Sequence, residues 1–262
     1  MSGTRPAAVA GMFYPGNAAQ LHADVQAMLS SVPAGHSMPK AIIVPHAGYI
    51  YSGPVAASAF SQLIPSRSVI KRVILLGPCH RVALTGLATT SADYFETPLG
   101  SIAIDQDSIR DILSLPQVKE FDLTHQQEHS LEVQLPFLQE VLDEFKLIPL
   151  VVGDTSAEEV QQVLELLWGG KETLIVISSD LSHYHNYATA RSMDKQTCNA
   201  IENLDFRAID HEQACGRNPV LGLLRAAQQH KMKVTTLDLR NSGDTAGSKD
   251  QVVGYGAWMF EE

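Results

Sequence analysis

The sequence has no excess of basic residues, few cysteines and no long apolar run. Of its 262 residues, Lys and Arg number 19 against 29 Asp and Glu, which gives a net charge of −10. A nucleic-acid surface needs the opposite balance, so we expect no nucleic-acid partner. No apolar run approaches the ~20 residues that cross a bilayer, so we also expect no membrane partner.

The three cysteines include no Cys-x-x-Cys pair. An odd number of widely spaced cysteines is typical of reduced thiols in a cytoplasm and not of a disulfide framework. Cys79 stands beside a histidine and is an alternative ligand for a soft metal, but we interpret Cys79, Cys198 and Cys215 as packing residues. Residues 1–15 have neither a basic flank nor a long apolar core, so we expect no secretory signal and a cytoplasmic protein.

Apolar runs and helical stripes alternate along the chain, which is typical of an α/β protein. A composition of 45% hydrophobic and 18% charged residues supports a sizeable core. We predict one α/β domain over residues 1–262, with a central, mostly parallel or mixed sheet flanked by helices and a connector at 33–39. The predicted strands are 41–44, 72–77, 84–90, 147–152, 174–177, 234–239 and 252–260, with a hairpin around 94–100. Helices are predicted after Asn17 and Asp105 and at 55–63, 131–142 with a kink or restart at Pro136, 156–167, 189–204 and 219–227.

Three predicted strands end in a polar segment that carries a histidine. His46 follows strand 41–44, His80 follows the next strand, and Asp180 and His183 follow strand 174–177. In an open α/β sheet, ligands bind beyond the carboxyl ends of the strands. The repeated pattern therefore predicts one pocket along one edge of one sheet.

The most specific interpretation of this cluster of strand-end histidines is a metal-binding site. Neutral imidazole suits Fe, Zn, Cu and Ni, and two histidines with one carboxylate suit non-heme Fe(II). His46 and His80 supply two imidazoles, and Asp180 is a candidate carboxylate. His183 is a candidate acid/base group because its unperturbed pKa lies near the working pH. The structural alternatives are that His46 caps a strand end and that Asp180 caps a loop or helix.

The segment His125 to His129 matches the H-x-x-E-H pattern of inverted zinc peptidases. On one helix, the pattern would place two imidazoles on one face with Glu128 beside them. Three fixed positions often match by chance, and Pro136 disturbs the helix soon afterwards, so we interpret the match as accidental. Glu128 and His129 stay candidate pocket residues.

Six ordered motifs resemble the Memo family, known in prokaryotes as AmmeMemoRadiSam system protein B. The resemblance covers nearly the whole chain. That family is similar in fold to the class III extradiol dioxygenases, which use non-heme Fe(II) on an α/β scaffold, and the resemblance implies this fold. The motifs lie at residues 6–15, 45–49, 77–80, 128–132, 178–183 and 252–255.

The resemblance also implies roles for single residues. His46 and His80 match the metal histidines, whereas His129 and His183 match the pocket histidines that serve substrate and proton transfer. Relatives of the animal kind carry a cysteine in the carboxyl-terminal loop as a third metal-site residue.

This chain has no cysteine after Cys215, and residues 242–245 occupy that region. We predict that Asp244 completes the metal face, because Gly243 lets the backbone turn and aim the next side chain inward. Asp180 competes for this role. The alternative is that Asp244 only stabilises its own turn.

The predicted activity is metal-dependent, dioxygenase-like redox chemistry on an unidentified small-molecule or peptide substrate. The expected cofactor is a divalent metal, Fe(II) first, with Zn(II) or Cu as alternatives. A metal-dependent hydrolase and a non-catalytic metal- or peptide-binding module are the alternative functions. The resemblance implies a functional association with radical SAM and AMMECR1-like proteins.

Overall fold

The computed structural model describes residues 3–33, 35 and 38–262. Residues 34, 36 and 37 of the predicted connector, and the first two residues of the chain, lie outside the described residues. The helices are α1 (Ala18–Ser30), α2 (Tyr49–Phe60), α3 (Gln106–Ile112), α4 (Leu123–Gln126), α5 (Leu135–Val141), α6 (Ala157–Leu167), α7 (Tyr187–Glu202) and α8 (Arg217–Gln229). The strands are β1 (Thr4–Arg5), β2 (Ala41–Val44), β3 (Arg72–Pro78), β4 (Leu87–Thr89), β5 (Tyr94–Thr97), β6 (Gly100–Ala103), β7 (Val118–Glu120), β8 (Lys146–Val152), β9 (Thr173–Ser178), β10 (His183–His185), β11 (Lys233–Asn241) and β12 (Val252–Glu261).

The largest sheet in the described part of the chain has the order β10-β12-β2-β9-β3-β8-β4-β7, and β11 pairs with β12. Strands β2, β9, β3 and β8 run parallel, whereas β12 and β4 run antiparallel to their neighbours β2 and β8. Every residue of β2 and β9 is buried, as expected for central parallel strands with both faces covered. Helix α2 packs on β2, and α8 packs on β3 and β9. This mixed sheet flanked by helices confirms the predicted fold class.

The register of the central strands aligns their carboxyl ends. Ile177 of β9 pairs with Ile43 of β2 on one side and with Leu76 of β3 on the other. Because β9 lies between β2 and β3, the segments that follow these three strands leave the sheet side by side. The fold therefore brings the three polar strand ends to one edge.

Several elements have other bounds than predicted, α2 and β4 among them. Helix α2 begins at Tyr49 and includes Pro54, because the backbone N–H of Tyr49 donates to the oxygen of Phe13 at 2.8 Å and fixes the first turn early. The predicted strand 84–90 shortens to β4, since only its residues Leu87 and Ala88 pair with the end of β8.

Three predicted helix starts, the restart at Pro136 and the predicted hairpin are confirmed. Asn17 caps α1 and Asp105 caps α3, and Ser156 forms a capping box with Glu159 at α6. Pro136 stands at the start of α5, after a 3₁₀ helix at Glu132–Gln134. The hairpin forms β5 and β6, which join β1 in a separate small sheet.

Among the described residues, no helix has both the length and the apolar character needed to cross a membrane.

Candidate metal centre

A cavity of about 640 Å³ lies at the edge where β2, β9 and β3 end. Asp180 and Cys215 contribute to its wall. Imidazole side chains are the main polar groups of this cavity. Of the chain's ten histidines, six line it in the described part of the structure: His46, His80, His129, His183, His185 and His211.

Two histidines and a cysteine meet on one side of this cavity. The rings of His46 and His80 stand edge to face with centroids 5.3 Å apart. The sulfur of Cys215, just before α8, is 3.3 Å from His46 Nε2. Ligand atoms of the three residues all lie within 4.8 Å of one another, so they can hold one metal ion between them.

Ser178 fixes the tautomer of His46. The Ser178 hydroxyl donates its single hydrogen to the backbone oxygen of Ser130 at 2.6 Å, so it accepts from His46 Nδ1, which is 2.9 Å away. His46 Nδ1 therefore carries the hydrogen, and Nε2 has the free lone pair that a metal ion needs. Burial lowers the pKa of His46, and the neighbouring histidines lower it further, so the ring is neutral at pH 7.

Glu128 has the same effect on His80. Its carboxylate accepts the backbone N–H of His80 at 2.6 Å and faces the ring Nδ1 at 2.9 Å. Burial alone would raise the pKa of Glu128, but the side-chain and backbone hydrogen bonds of His80 outweigh it and lower the pKa to about 2. An ionised carboxylate only accepts, so His80 Nδ1 donates and its Nε2 is left for a metal ion.

His129 adds a third imidazole. Its ring stacks on His80 with centroids 4.7 Å apart and lies against Phe13 at the same distance. Burial lowers the pKa of His129 to about 4, so the ring is neutral. Its buried Nδ1 has no hydrogen-bond partner among the described residues and is 3.4 Å from Glu128 Oε1. His80, Glu128 and His129 form a second set that can hold a metal ion.

Asp180 and His183 supply proton-carrying groups at the same cavity. Asp180 Oδ1 accepts the backbone N–H of His46 at 2.8 Å, and burial raises the pKa of Asp180 to about 7. His183 Nδ1 lies 2.8 Å from the oxygen of Leu181; a carbonyl only accepts, so Nδ1 donates and Nε2 is free. Burial lowers the pKa of His183, which favours the neutral ring.

Comparison with known proteins identifies the family. A family model described as Memo-like protein matches residues 5–259. The chain belongs to the Memo-like family. A MEMO1 family protein of Aquifex aeolicus (strain VF5) is 38% identical over 267 residues, covering 98% of each chain. A MEMO1 family protein of Metallosphaera sedula is 33% identical over 281 residues, covering 98% of this chain and 99% of the relative.

Among solved structures, this Memo-like protein is similar to an uncharacterized protein of Escherichia coli K12, with a TM-score of 0.49 and 14% sequence identity. The match covers 84% of this chain and 99% of that chain.

Six of the seven predicted site residues lie at or next to the 640 Å³ cavity in this Memo-like protein. The five that line the cavity come from three strand ends and from the segment before α5, and the sixth, Glu128, bonds to His80. The cavity-lining five are His46, His80, His129, Asp180 and His183.

The structure does not bring Asp244, the predicted completing carboxylate, to these histidines. Asp244 accepts the Tyr187 hydroxyl at 2.5 Å and the backbone N–H of Asn241 at 3.1 Å. It closes a capping box on the 3₁₀ helix Ser242–Asp244 and lines a separate cavity between α7 and β11. The turn thus satisfies this carboxylate locally, as the alternative interpretation proposed.

Cys215 is the residue that sequence reasoning missed. The interpretation of Cys215 as a packing residue is corrected, because its sulfur lies beside His46 and its backbone N–H donates to the oxygen of Asp180 at 3.3 Å. The available signal was the cysteine of relatives, for which Cys215 is the carboxyl-terminal candidate in this chain. Its position next to the histidines is set by the packing of the loop before α8.

The H-x-x-E-H match does not form a peptidase site. Helix α4 ends at Gln126, so His125 and His129 do not share a helix face. His125 is buried with its Nε2 3.1 Å from the oxygen of Ala88, away from the cavity.

Proposed function

We propose that this protein holds one redox-active metal ion between His46, His80 and Cys215 and carries out metal-dependent redox chemistry on a small-molecule or peptide substrate. The observation that carries the proposal is the approach of the three ligand atoms to within 4.8 Å of one another. The residues present fit a metal ion, because both imidazoles hold their Nδ1 hydrogens in protein hydrogen bonds and leave Nε2 with a lone pair, that of His46 facing the Cys215 sulfur.

The donor set bears on which metal the protein selects. Two imidazoles and a carboxylate would favour Fe(II), whereas a thiolate in place of the carboxylate also suits copper and zinc. We therefore propose iron or copper as the redox-active ion, and zinc as the ion of a hydrolytic alternative. When bound, the ion supplies redox capacity and Lewis acidity at the cavity wall.

The remaining polar residues bind, orient and move protons. His183 has a free Nε2 at the cavity and takes a proton from a substrate group there. Asp180 holds the backbone of His46 in place, and a pKa of about 7 lets its carboxyl group exchange a proton near neutral pH.

The experiment is elemental analysis of protein purified without oxygen, with three ligand variants. His46→Ala, His80→Ala and Cys215→Ala should each lower metal affinity by about tenfold or more, because each removes one donor. His125→Ala is the matched control, since His125 bonds to β4 away from the cavity, and it should keep the metal. Equal metal content in the wild type and all three ligand variants would refute the site.

A second measurement separates the chemical alternatives. With the native metal bound, turnover is sought on oxidisable substrates, catechols included, for the wild type and His183→Ala. We expect His183→Ala to keep the metal and lose turnover; loss of metal would instead make His183 a ligand. Turnover of hydrolysable substrates with zinc favours the hydrolase, and tight peptide binding without turnover favours the binding module.

A further inference from the structure

A second, smaller cavity lies next to the metal cavity and contains another thiol. Cys79 and Cys215 both line this space of about 310 Å³, and His211 and Cys215 line both cavities. Cys79 is partly exposed, and its sulfur is 3.0 Å from the oxygen of Val82. Neither cysteine is in a disulfide.

The backbone carries the two cysteines to the same strand end. Leu76 of β3 pairs with Ile177 of β9, and Cys79 and Asp180 each lie three residues beyond that pair. Cys215 donates its N–H to the oxygen of Asp180 and accepts the Asp180 N–H at its sulfur, each at 3.3 Å. Cys215 therefore contacts Asp180, and Cys79 lies at the same level of the neighbouring strand, where adjacent strands are only ~5 Å apart.

We propose that Cys79 and Cys215 are an oxidisable thiol pair whose disulfide removes the sulfur ligand from the metal site. The inference rests on the proposed function, in which Cys215 is a metal ligand. Cys79 is the thiol that peroxide oxidises first, because Cys79 is partly exposed whereas the Cys215 sulfur is packed against His46 and Asp180. A disulfide sulfur carries no thiolate charge, so the oxidised site keeps only its imidazole donors.

The oxidant is a peroxide, and the disulfide forms in two steps. One equivalent of hydrogen peroxide oxidises the Cys79 thiol to a sulfenic acid and releases one water. The Cys215 sulfur then attacks the Cys79 sulfur, the new S–S bond forms, and the sulfenic oxygen leaves as a second water. The two thiols together lose two hydrogen atoms and two electrons, which the peroxide accepts. A small dithiol reverses the reaction by thiol–disulfide exchange.

The test uses the full chain, reduced and metal-free, given a short pulse of hydrogen peroxide and then blocked with an alkylating agent. Peptide mapping by mass spectrometry should find the peptide of Cys79 linked to the peptide of Cys215. Copper or iron affinity of the oxidised wild type should fall by about tenfold or more, and a dithiol should restore it. Cys79→Ser should bind metal as the reduced wild type does and should keep that affinity after the same pulse.

Cys198→Ser is the matched control, because Cys198 is buried in α7 against Glu202 and Thr236. This variant should form the link and lose affinity like the wild type. Absence of the linked peptide overturns the proposal, and so does a Cys79→Ser variant that loses affinity as the wild type does. If the reduced wild type binds no metal, the proposed function fails, and the linked peptide alone decides whether the thiol pair exists.

Discussion

Ser178 holds His46 in the tautomer that has its hydrogen on Nδ1 and leaves Nε2 for the proposed metal ion. Ser178→Ala removes the acceptor of the His46 Nδ1 hydrogen, so the imidazole loses its orientation and part of its basicity. We expect metal affinity to fall by about tenfold, the lower end of what loss of such a partner costs. The measurement is a competition titration with a chelator of known affinity.

The control for Ser178→Ala is Ser61→Ala. Ser61 is also buried, and its hydroxyl also has backbone oxygens, those of Pro33 and Ser58, within donating distance. It follows α2, away from the histidines. Equal affinities for the two variants would show that the Ser178 hydroxyl has no part in metal binding.

Asp194 makes stability depend on pH. The residue is 2% exposed, and its carboxylate accepts the backbone N–H of Ser182 at 3.0 Å. Burial raises the pKa of Asp194 from 3.8 to about 6, although the Ser182 hydrogen bonds and His185 oppose the shift. The folded state thus binds this proton more tightly than the unfolded state, so its contribution to stability is present below about pH 4 and is lost as the pH rises through 6.

Asp194→Asn removes this titration and keeps an oxygen for Ser182. We expect the free energy of unfolding of the variant, relative to the wild type, to rise between pH 4 and pH 7 by up to about 3 kcal/mol, at 1.36 kcal/mol per pKa unit. Urea unfolding at several pH values measures this difference. A difference that is constant with pH would contradict the assignment.

At the scale of elements, the 3₁₀ helix Glu132–Gln134 anchors the amino-terminal segment. The fully buried Glu132 carboxylate accepts from the Arg5 guanidinium, the backbone N–H groups of Ala8 and Val9, and the Tyr14 hydroxyl. These bonds hold the segment whose Phe13 ring packs on His129. The anchor therefore connects the start of the chain to the wall of the site.

Glu132→Gln leaves the buried Arg5 without its counter-charge. Removing one partner of a buried ion pair costs about 3–5 kcal/mol, and we expect a loss of that size in urea unfolding. The matched control is Asp143→Asn, which breaks the exposed pair with Arg67 and should cost less than about 1 kcal/mol. Similar losses for both variants would show that the anchor contributes no more than a surface pair.

At the scale of the whole molecule, the proposed metal site joins segments that are far apart in sequence. The contact between Cys215 and His46 spans 169 positions, so the unfolded chain contains no preformed site. We therefore expect metal to bind the folded state preferentially and to stabilise it, by about 2.7 kcal/mol at a free concentration one hundred times the Kd.

We expect added metal to raise the melting temperature by about 5 °C or more in differential scanning calorimetry. His46→Ala should show no such rise at the same metal concentration, because the ligand set is incomplete. A rise of the same size in that variant would place the bound metal elsewhere.

Strand ends with histidines were predictable because two regularities act together. Apolar runs of four to seven residues mark buried strands, and the register of parallel strands aligns whatever follows them. His46, His80 and Asp180 each stand two residues beyond their strand and therefore meet. Caps and turns at Asn17 and Ser156 were predictable for the same local reason, since a cap involves only three or four neighbouring residues.

The third residue of the proposed ligand set and the orienting partners of the two histidines were decided by tertiary structure alone. The local sequence does not show which of Cys215, before α8, and Asp244, in the turn after β11, lies near the histidines. Packing places Cys215 beside His46. Hydrogen bonds within its own turn hold Asp244 away. The acceptors of the two imidazoles, Ser178 and Glu128, are likewise chosen by which side chains the folded sheet edge places within hydrogen-bond distance. Sequence determined the central strands and their ends because periodicity is local, whereas contacts between distant segments, the order of the strands included, exist only once the chain has packed.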